Sequence, residues 1–186
     1  MHQAAVLYVA AFRRKFVWLL GSDEKMLQLI RSGLNARYAL TAVSDTGELV
    51  GLAGYHWQQH ALVDLRYASF RAVFGWLGGA VKALAMGMLF TRTPKPGELL
   101  MDGIVVDPAY RGGGIGKQLF AGLEQLARAY GLTGIRLDVI AENPRAKALY
   151  TSLGFEVTGY QKLSGLVSRM VGTGGVYHMR KKLQPL

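Results

Sequence analysis

The feature that most constrains the fold of this chain is a glycine-rich turn, Arg111-Gly-Gly-Gly-Ile-Gly116, between two apolar segments. The segment before it, Leu99 to Val106, is apolar enough to form a strand that is buried on both faces. Residues 117–130 follow with leucines on one helical face, and Gly131 is a typical helix stop. A buried strand joined to a helix by a tight turn indicates an α/β fold, with a sheet flanked by helices.

The other segments predict the remaining helices and strands of that fold. Gly21, Gly33 and Gly154 each follow a helical pattern, and Pro144 stands at the first turn of another helix. In chain order we predict helices over 4–20 and 22–32, a hairpin of strands over 38–43 and 48–57, a strand over 135–140, a helix over 143–153, and closing strands over 155–161 and 176–183.

Length and composition narrow the class of protein. The chain of 186 residues suggests a single domain over 1–186, and a hydrophobic content of 51% is enough for a packed core. Cysteine is absent, which excludes disulfides, a thiol nucleophile and thiolate metal sites. His56 and His60 are four residues apart at a strand end, where that spacing does not form one face, so we predict no metal site. The net charge of +10 favours an anionic partner: nucleic acid, an anionic membrane or a polyphosphate ligand.

The segment over residues 66–98 is unusual because residues 72–91 are almost entirely apolar. Lys82 lies in the middle of this run, where insertion into a bilayer would cost roughly 2.5–3.5 kcal/mol. The run also lies between segments that are typical of a soluble sheet. We therefore predict a helical insertion packed on the domain, and no membrane span.

The N-terminal segment lacks the pattern of a secretion signal. Its apolar residues 4–12 precede the basic run Arg13-Arg14-Lys15 instead of following it, and no small-residue cleavage site is present. We predict an amphipathic helix in this segment and a cytoplasmic protein.

The glycine-rich turn also has a chemical meaning. Small residues at the start of a helix let several backbone N–H groups point at one phosphate, at the positive end of the helix dipole. A Walker loop is excluded because Arg111 stands where it needs its first glycine and Gln118 where it needs Ser or Thr. A Rossmann fingerprint is excluded because Lys117 and Leu119 stand where it needs glycine. The pattern that fits residues 111–116 is Arg-x-x-Gly-x-Gly.

Two further segments complete a larger pattern. Val106-Asp-Pro-Ala-Tyr-Arg111 leads into the turn, and Asn143-Pro-Arg-Ala-Lys-Ala-Leu-Tyr150-Thr-Ser-Leu-Gly-Phe155 follows it along the chain. Together they resemble the GCN5-related N-acetyltransferase (GNAT) superfamily, in motif over roughly residues 99–160 and in element order over most of the rest. The resemblance implies a mixed sheet that splays between two central strands. The family's usual first strand has no counterpart here, and the 66–98 insertion is longer than the family's common link.

The resemblance implies acetyl-CoA as the acyl donor. Its pantetheine arm would enter the splay and pair with the backbone at the end of the central strand, while its pyrophosphate would lie on the glycine-rich turn. The Asn143 side chain would bind pantetheine. The implied cofactor-binding residues are Ile104, Val105, Val106, Arg111, Gly112, Gly113, Gly114, Ile115, Gly116, Lys117 and Asn143.

Three side chains are candidates for proton transfer. In the family, a tyrosine at the position of Tyr150 protonates the departing thiolate, and a phenol suits that role because it is protonated at neutral pH. A base must take a proton from the amine, and Asp102 and Asp138 stand where family members carry glutamates. Asp138 has an alternative as the surface partner of Arg136 on the same strand face. We prefer Asp102 to Asp138 as the base and leave open that neither serves.

The predicted function is acetyl-CoA-dependent N-acetylation of a primary amine by direct transfer. Two alternatives stay open: acetylation of aminoacyl-tRNA, which the basic runs at 13–15 and 180–182 would suit, and a catalytically silent acyl-CoA-binding module. The insertion enters just before the central strand and is rich in apolar side chains, so we predict that it forms a wall of the acceptor pocket or a homodimer contact. The side chains concerned are Tyr67, Phe70, Phe74, Trp76, Met86, Met88 and Phe90.

Overall fold

The computed structural model describes residues 1–90, 92–163 and 165–184. It is built from helices and strands that closely follow the predicted order. They are α1 (His2–Leu20), α2 (Asp23–Gly33), β1 (Ala39–Val43), β2 (Leu49–Trp57), β3 (His60–Ala61), α3 (Tyr67–Phe90), β4 (Glu98–Val106), α4 (Ile115–Ala129), β5 (Gly134–Ile140), α5 (Pro144–Ser152), β6 (Glu156–Lys162), α6 (Gly165–Val171) and β7 (Gly175–Lys182), with short 3₁₀ turns at Ala36–Tyr38 and Pro108–Tyr110.

The strands form one mixed sheet of the splayed kind that the sequence predicts. Its order is β1-β2-β4-β5-β7-β6, with β3 paired to β2, and the β4–β5 pair is parallel while the other pairs are antiparallel. The β4–β5 pairing ends where Leu100 lies opposite Arg136. Beyond Leu100, β4 continues to Val106 in register with β2 alone. A gap therefore opens between β4 and β5 in the middle of the sheet.

A β-bulge in β4 lies at the start of this gap. In the register with β2, Tyr55 lies opposite Met101 and Gly54 lies opposite Gly103, which leaves Asp102 as an extra residue. An extra residue of this kind bends the strand and resets the alternation of its side chains.

The bulge turns two successive positions of β4 towards α1. The Asp102 carboxylate accepts a hydrogen bond from the Tyr8 hydroxyl of that helix, at 3.1 Å. A Cβ added at Gly103 would lie 2.7 Å from the Phe12 ring of the same helix, so no larger side chain fits there. Ile104, the next residue, packs in the core on the opposite face. The bulge therefore places the Asp102 carboxylate on the α1 face just before the strand edge becomes free.

Two helical layers cover the sheet. On one face, α4 buries Leu119, Phe120, Leu123 and Ala127, a spacing that forms a single helical stripe against β4 and β5. On the other face, α1 and α2 pack over β2 and the end of β4, with Val105 in their cluster. Each face thus has its own core, and β4 is covered on both sides, as its apolar sequence indicates.

The predicted helical insertion is the long helix α3. A positive φ of 75° at Gly75 bends it, a conformation that glycine adopts without strain. Phe70 is only 2% exposed and packs with the end of α1 and with α2. Lys82 donates to the main-chain oxygen of Leu19, so its charge is used inside the domain. Among the described residues, no helix has the length and hydropathy needed to cross a bilayer.

The packing of α3 on the domain is one-sided. Its exposed apolar side chains are Tyr67, Trp76, Leu77, Val81, Leu84 and Met88. Thr91 and the Phe90 side chain lie outside the described part of the chain. The homodimer contact that the sequence suggests for this segment stays a prediction. A further difference is helix α6, which no pattern in the sequence indicated.

Candidate active site

The Tyr150 hydroxyl lies at the gap between β4 and β5. The backbone N–H of Ile104, just beyond the bulge, lies beside its oxygen. Burial raises the pKa of Tyr150 to about 12, and the favourable interaction of the phenol oxygen with the Ile104 N–H acts against that rise. The Phe155 ring holds Tyr150 in an edge-on contact, with 5.7 Å between the ring centroids. Tyr150 is therefore a buried, protonated phenol fixed at the free edge of β4.

The free edge of β4 offers main-chain groups to a ligand in the gap. Backbone groups of successive strand residues point to opposite sides, so Ile104 and Val106 face the gap while Val105 faces β2. Consistent with this, the N–H of Asp107 donates to the main-chain oxygen of Val50 on β2, and Val105, two residues earlier, has the same orientation. That Val105 itself binds the cofactor stays a prediction.

The glycine-rich turn forms an open cradle at the start of α4. Gly112 and Gly114 have positive φ angles of 91° and 80°, and Gly114 caps α4 without a side-chain hydrogen bond. A Cβ added at either glycine would meet no atom within 4 Å, so the space beside them is empty of protein. Side chains there would be strained and would also fill the cradle. The first turn of α4 thus presents free backbone N–H groups to solvent, which suits a phosphate.

Three polar side chains near the cradle differ in their contacts and in their exposure to solvent. Arg111 donates from Nε to the main-chain oxygen of Val106, at 3.2 Å, which ties the turn to the free end of β4. Lys117 is exposed in the first turn of α4. The Asn143 Oδ1 accepts from the Ala146 N–H at 3.0 Å and caps α5. Its side-chain NH₂ group has no hydrogen-bond partner in residues 1–90, 92–163 and 165–184, so capping leaves that group available.

Asp102 lies at the centre of a cluster on the α1 face of the sheet. Besides Tyr8, its carboxylate contacts the guanidinium of Arg92, from the loop after α3. The Nε2 atom of His56, on β2, is 3.6 Å from Oδ1 of Asp102. The pKa of Tyr8 is raised well above that of a free phenol, chiefly by burial and further by the Asp102 charge. The cluster therefore joins a carboxylate, a guanidinium, an imidazole and a neutral phenol.

Asp138 lies on the neighbouring strand and shares the same cation. Its Oδ1 is 2.7 Å from Nδ1 of His178, and its Oδ2 is 3.6 Å from a terminal nitrogen of Arg92. Arg92 thus contacts carboxylates on both sides of the β4–β5 gap. The prediction that Asp138 pairs with Arg136 is wrong.

Arg136 turns instead towards the start of β4. Its Nε is 3.9 Å from a carboxylate oxygen of Glu98, and it donates to the main-chain oxygen of Thr93 at 2.8 Å. The physical reason is the parallel pairing of β4 and β5 at this point, which places Glu98 within reach of Arg136. The carboxylate of Asp138 is thereby left to His178 and Arg92.

A cavity of about 600 Å³ opens beside the Asp102 cluster. It lies between α1, α3 and the ends of β2 and β4, so the insertion does form part of its wall. Tyr8, His56 and Arg92 were not predicted as parts of this site. His56 was considered only as a metal ligand, and none of the three has a local sequence signal for this cluster, because their elements meet only in the fold. The residues that line the cavity are Tyr8, Phe16, Leu20, Ile30, His56, Gln58, Gln59, His60, Ala61, Val63, Asp64, Leu65, Tyr67, Phe70, Ala83, Met86, Gly87, Arg92, Thr93, Pro94 and Asp102.

Comparison with known proteins identifies the class to which this fold and site belong. The sequence model of the Acetyltransferase (GNAT) family matches residues 7–155, which is most of the chain. The chain therefore belongs to the GNAT acetyltransferase family. The resemblance in the motifs at 106–116 and 143–155 is thereby confirmed.

Individual relatives match at moderate similarity. The chain is 40% identical over 92 residues to the N-alpha-acetyltransferase RimI of Mycobacterium tuberculosis. This match covers 47% of this chain and 56% of RimI. The match thus spans little more than half the length of that relative. A solved structure described as an acetyltransferase has a TM-score of 0.61 at 24% identity and covers 98% of this chain and 95% of its own.

A second solved structure shares the fold. It is a putative streptothricin acetyltransferase from Bacillus anthracis, determined in complex with acetyl coenzyme A. Its TM-score to this chain is 0.52 at 18% identity, covering 78% of this chain and 62% of the other. In this chain, the open cradle at Gly112 and Gly114 suits a phosphate-bearing ligand.

Proposed function

We propose that this protein transfers the acetyl group of acetyl-CoA directly to a primary amine. One observation carries the proposal: the hydroxyl of the buried Tyr150 lies beside the Ile104 N–H on the free edge of β4. Along that strand, Asp102 lines the cavity two residues before Ile104, and Val106, two residues after it, contacts Arg111 of the glycine cradle. Donor and acceptor would reach the gap from opposite faces of the sheet and meet at the free edge of β4. Acetyl-CoA supplies the activated thioester, and the chain supplies position and protons.

On the donor side, the cradle would hold the pyrophosphate. The backbone N–H groups of residues 112–116 would converge on it, and Lys117 would add a positive charge close by. Ile104 and Val106 would pair with the pantetheine amides through the main-chain groups that face the gap. Asn143 would add its free side-chain NH₂ group. Arg111 supports the arrangement by joining the cradle to Val106.

Tyr150 would provide the proton for the departing sulfur. A phenol with a pKa of about 12 is fully protonated at neutral pH, so the acid is in its active form before the reaction. A free thiol has a pKa near 8.5, well below that of Tyr150, so the CoA thiol returns the proton to the tyrosinate before CoA leaves as a thiolate, and the phenol is restored. The Ile104 N–H would stabilise negative charge on the phenol oxygen while the proton is away.

Asp102 would take the proton of the amine through a bridging water molecule. Of the two candidate bases, Asp102 lines the cavity and Asp138 does not. Arg92 carries one positive charge and contacts both carboxylates, so the three groups together keep one net negative charge. That charge favours an ammonium group next to Asp102 before deprotonation. Asp138 would act mainly by holding Arg92 and His178.

The proposal is tested by mixing the protein with acetyl-CoA and a panel of primary amines, with aminoacyl-tRNA included, and following release of the CoA thiol. We expect release with at least one amine. We also expect acetyl-CoA to raise the melting temperature, while NADH and ATP do not do so comparably. A rise with acetyl-CoA but no thiol release with any acceptor would identify a silent acyl-CoA-binding module instead. Release with aminoacyl-tRNA alone would identify the RNA-directed alternative.

A further inference from the structure

We infer that the acceptor is a primary amine with one positive charge and an apolar group, and that the apolar group lies against α1 and α3. The inference rests on the proposed function, because it concerns the acceptor side of the same site. It follows from the two chemically different ends of the Asp102 cavity, from its charge and from its size.

One end of the cavity is apolar and built by helices. Phe70 of α3 and Leu20 of α1 are buried in its wall, and Met86 lines it from the later part of α3. Leu20 lies about 18 Å along α1 from Tyr8, which contacts Asp102. Phe16 and Ile30 complete this end. Polar groups buried among such side chains would lose their hydrogen bonds to water without replacement, so this end disfavours hydroxyl or ammonium groups.

The opposite end of the cavity is polar and holds the Asp102 cluster. The charged side chains that line the cavity are Asp64, Asp102 and Arg92, and Arg92 is shared with Asp138. Two carboxylates therefore contact one guanidinium, and the cavity is lined elsewhere by a third acidic residue, Asp64, beside Gly33, in a protein whose net charge is +10. Although the protein as a whole is basic, this local excess of negative charge favours a cation near Asp102.

The size of the cavity sets the size of the acceptor. An apolar cavity of about 150 Å³ holds a benzene molecule. The cavity here is about 600 Å³, within the range of small-molecule sites. An alkyl chain of several carbons or an aryl group therefore fits at the apolar end while the amine stays near Asp102.

The test is the chain-length dependence of activity with simple amines. Linear amines from ethylamine to hexylamine are compared by kcat/KM at saturating acetyl-CoA. We expect a gain of about threefold to fourfold for each added methylene, the factor that corresponds to burying one CH₂ group. The matched comparison is 1,6-diaminohexane, which has the length of hexylamine but carries a second ammonium group at its far end. We expect this diamine to lose most of the gain.

Two methionines of α3 provide a matched pair of variants. Met86 lines the cavity, whereas Met88 is 78% exposed on the outer side of the helix. We expect Met86→Ala to lower kcat/KM for hexylamine by about threefold to tenfold. It should leave kcat/KM for ethylamine and the rise in melting temperature with acetyl-CoA unchanged. Met88→Ala should leave all three unchanged. If Met86→Ala lowers kcat/KM equally for ethylamine and hexylamine, Met86 does not contact the alkyl group of the acceptor and the inference fails.

The outcomes separate this inference from the proposed function. Turnover that does not change with chain length, or that is greater for 1,6-diaminohexane than for hexylamine, overturns the apolar acceptor and leaves the acetyltransferase proposal intact. Absence of turnover with every primary amine, despite binding of acetyl-CoA, overturns both. A rising series that Met86→Ala flattens supports both.

Discussion

Replacing Tyr150 by phenylalanine removes one hydroxyl from the gap and should change two independent properties. The first is the rate: we expect kcat to fall about 10²- to 10⁴-fold, the usual contribution of a positioned acid, while acetyl-CoA still raises the melting temperature as in the wild type. The second is the stability at alkaline pH, because the same burial that keeps the phenol protonated makes its ionisation unfavourable in the folded state.

The size of the alkaline effect follows from the pKa. Tyr150 has a pKa of about 12 in the folded protein, against about 10 in an unfolded chain. The unfolded state therefore loses its proton first, and the stability that this residue contributes is complete below pH 10 and is lost as the pH rises from 10 to 12. By linkage, the free energy of unfolding falls by about 1 kcal/mol at pH 11 and by about 2–3 kcal/mol above pH 12 on account of Tyr150.

Urea denaturation at pH 8 and at pH 11 measures this effect. Tyr8 and Tyr55 are also buried phenols with raised pKa values, so the wild type and Tyr150→Phe should both lose stability at pH 11. The wild type should lose about 1 kcal/mol more than Tyr150→Phe between the two pH values. Tyr160→Phe is the control, because Tyr160 is 50% exposed on β6 and should lose as much as the wild type. Equal losses in Tyr150→Phe and the wild type would mean that the hydroxyl is not buried in the gap.

The remaining predictions concern the cradle and the base. Gly114→Val should abolish the rise in melting temperature with acetyl-CoA, because a side chain there is strained and fills the cradle. Gly47→Val is the control, at a hairpin glycine with a similar positive φ, and it should keep that rise. A retained rise in Gly114→Val would refute the cradle. Asp102→Asn should lower kcat/KM by about tenfold or more, mainly on the acidic side of the pH profile, and Asp138→Asn should lower it less; the reverse order would make Asp138 the base.

The sequence predicts well those parts of the fold that depend on local pattern. The glycine-rich turn, the amphipathic face of α4 and the Asn143-Pro144 start of α5 each have their signal within a few residues, and the structure has all three. Helix α6 had no such signal, because it is a single short helix between two strands and has no apolar period. Helix α3 was predicted as packed, but its outer face is exposed, which a continuous apolar run does not indicate.

The site was predicted only where its residues belong to a motif. Tyr150 and the cradle come from recognisable patterns, whereas the partners of Asp102 come from α1, β2 and the loop after α3, far apart in the sequence. The bulge at Asp102 depends on the register of two strands and cannot be read from one of them. The wrong pairing of Asp138 with Arg136 has the same origin, because strand alternation gives the face but not the competing partner on the next strand.

The position of Arg92 explains how the insertion belongs to the site. Two carboxylates flank the gap where β4 and β5 separate, and without a cation they would repel each other across it. The required cation lies in the loop that follows α3, so the same insertion provides the apolar wall at Phe70 and Met86 and the charge at the polar end. If the proposed function holds, the acceptor side is shaped mainly by a segment outside the donor motifs. We then expect acceptor choice to change through α3 and its loop while the motifs at 106–116 and 143–155 stay as they are.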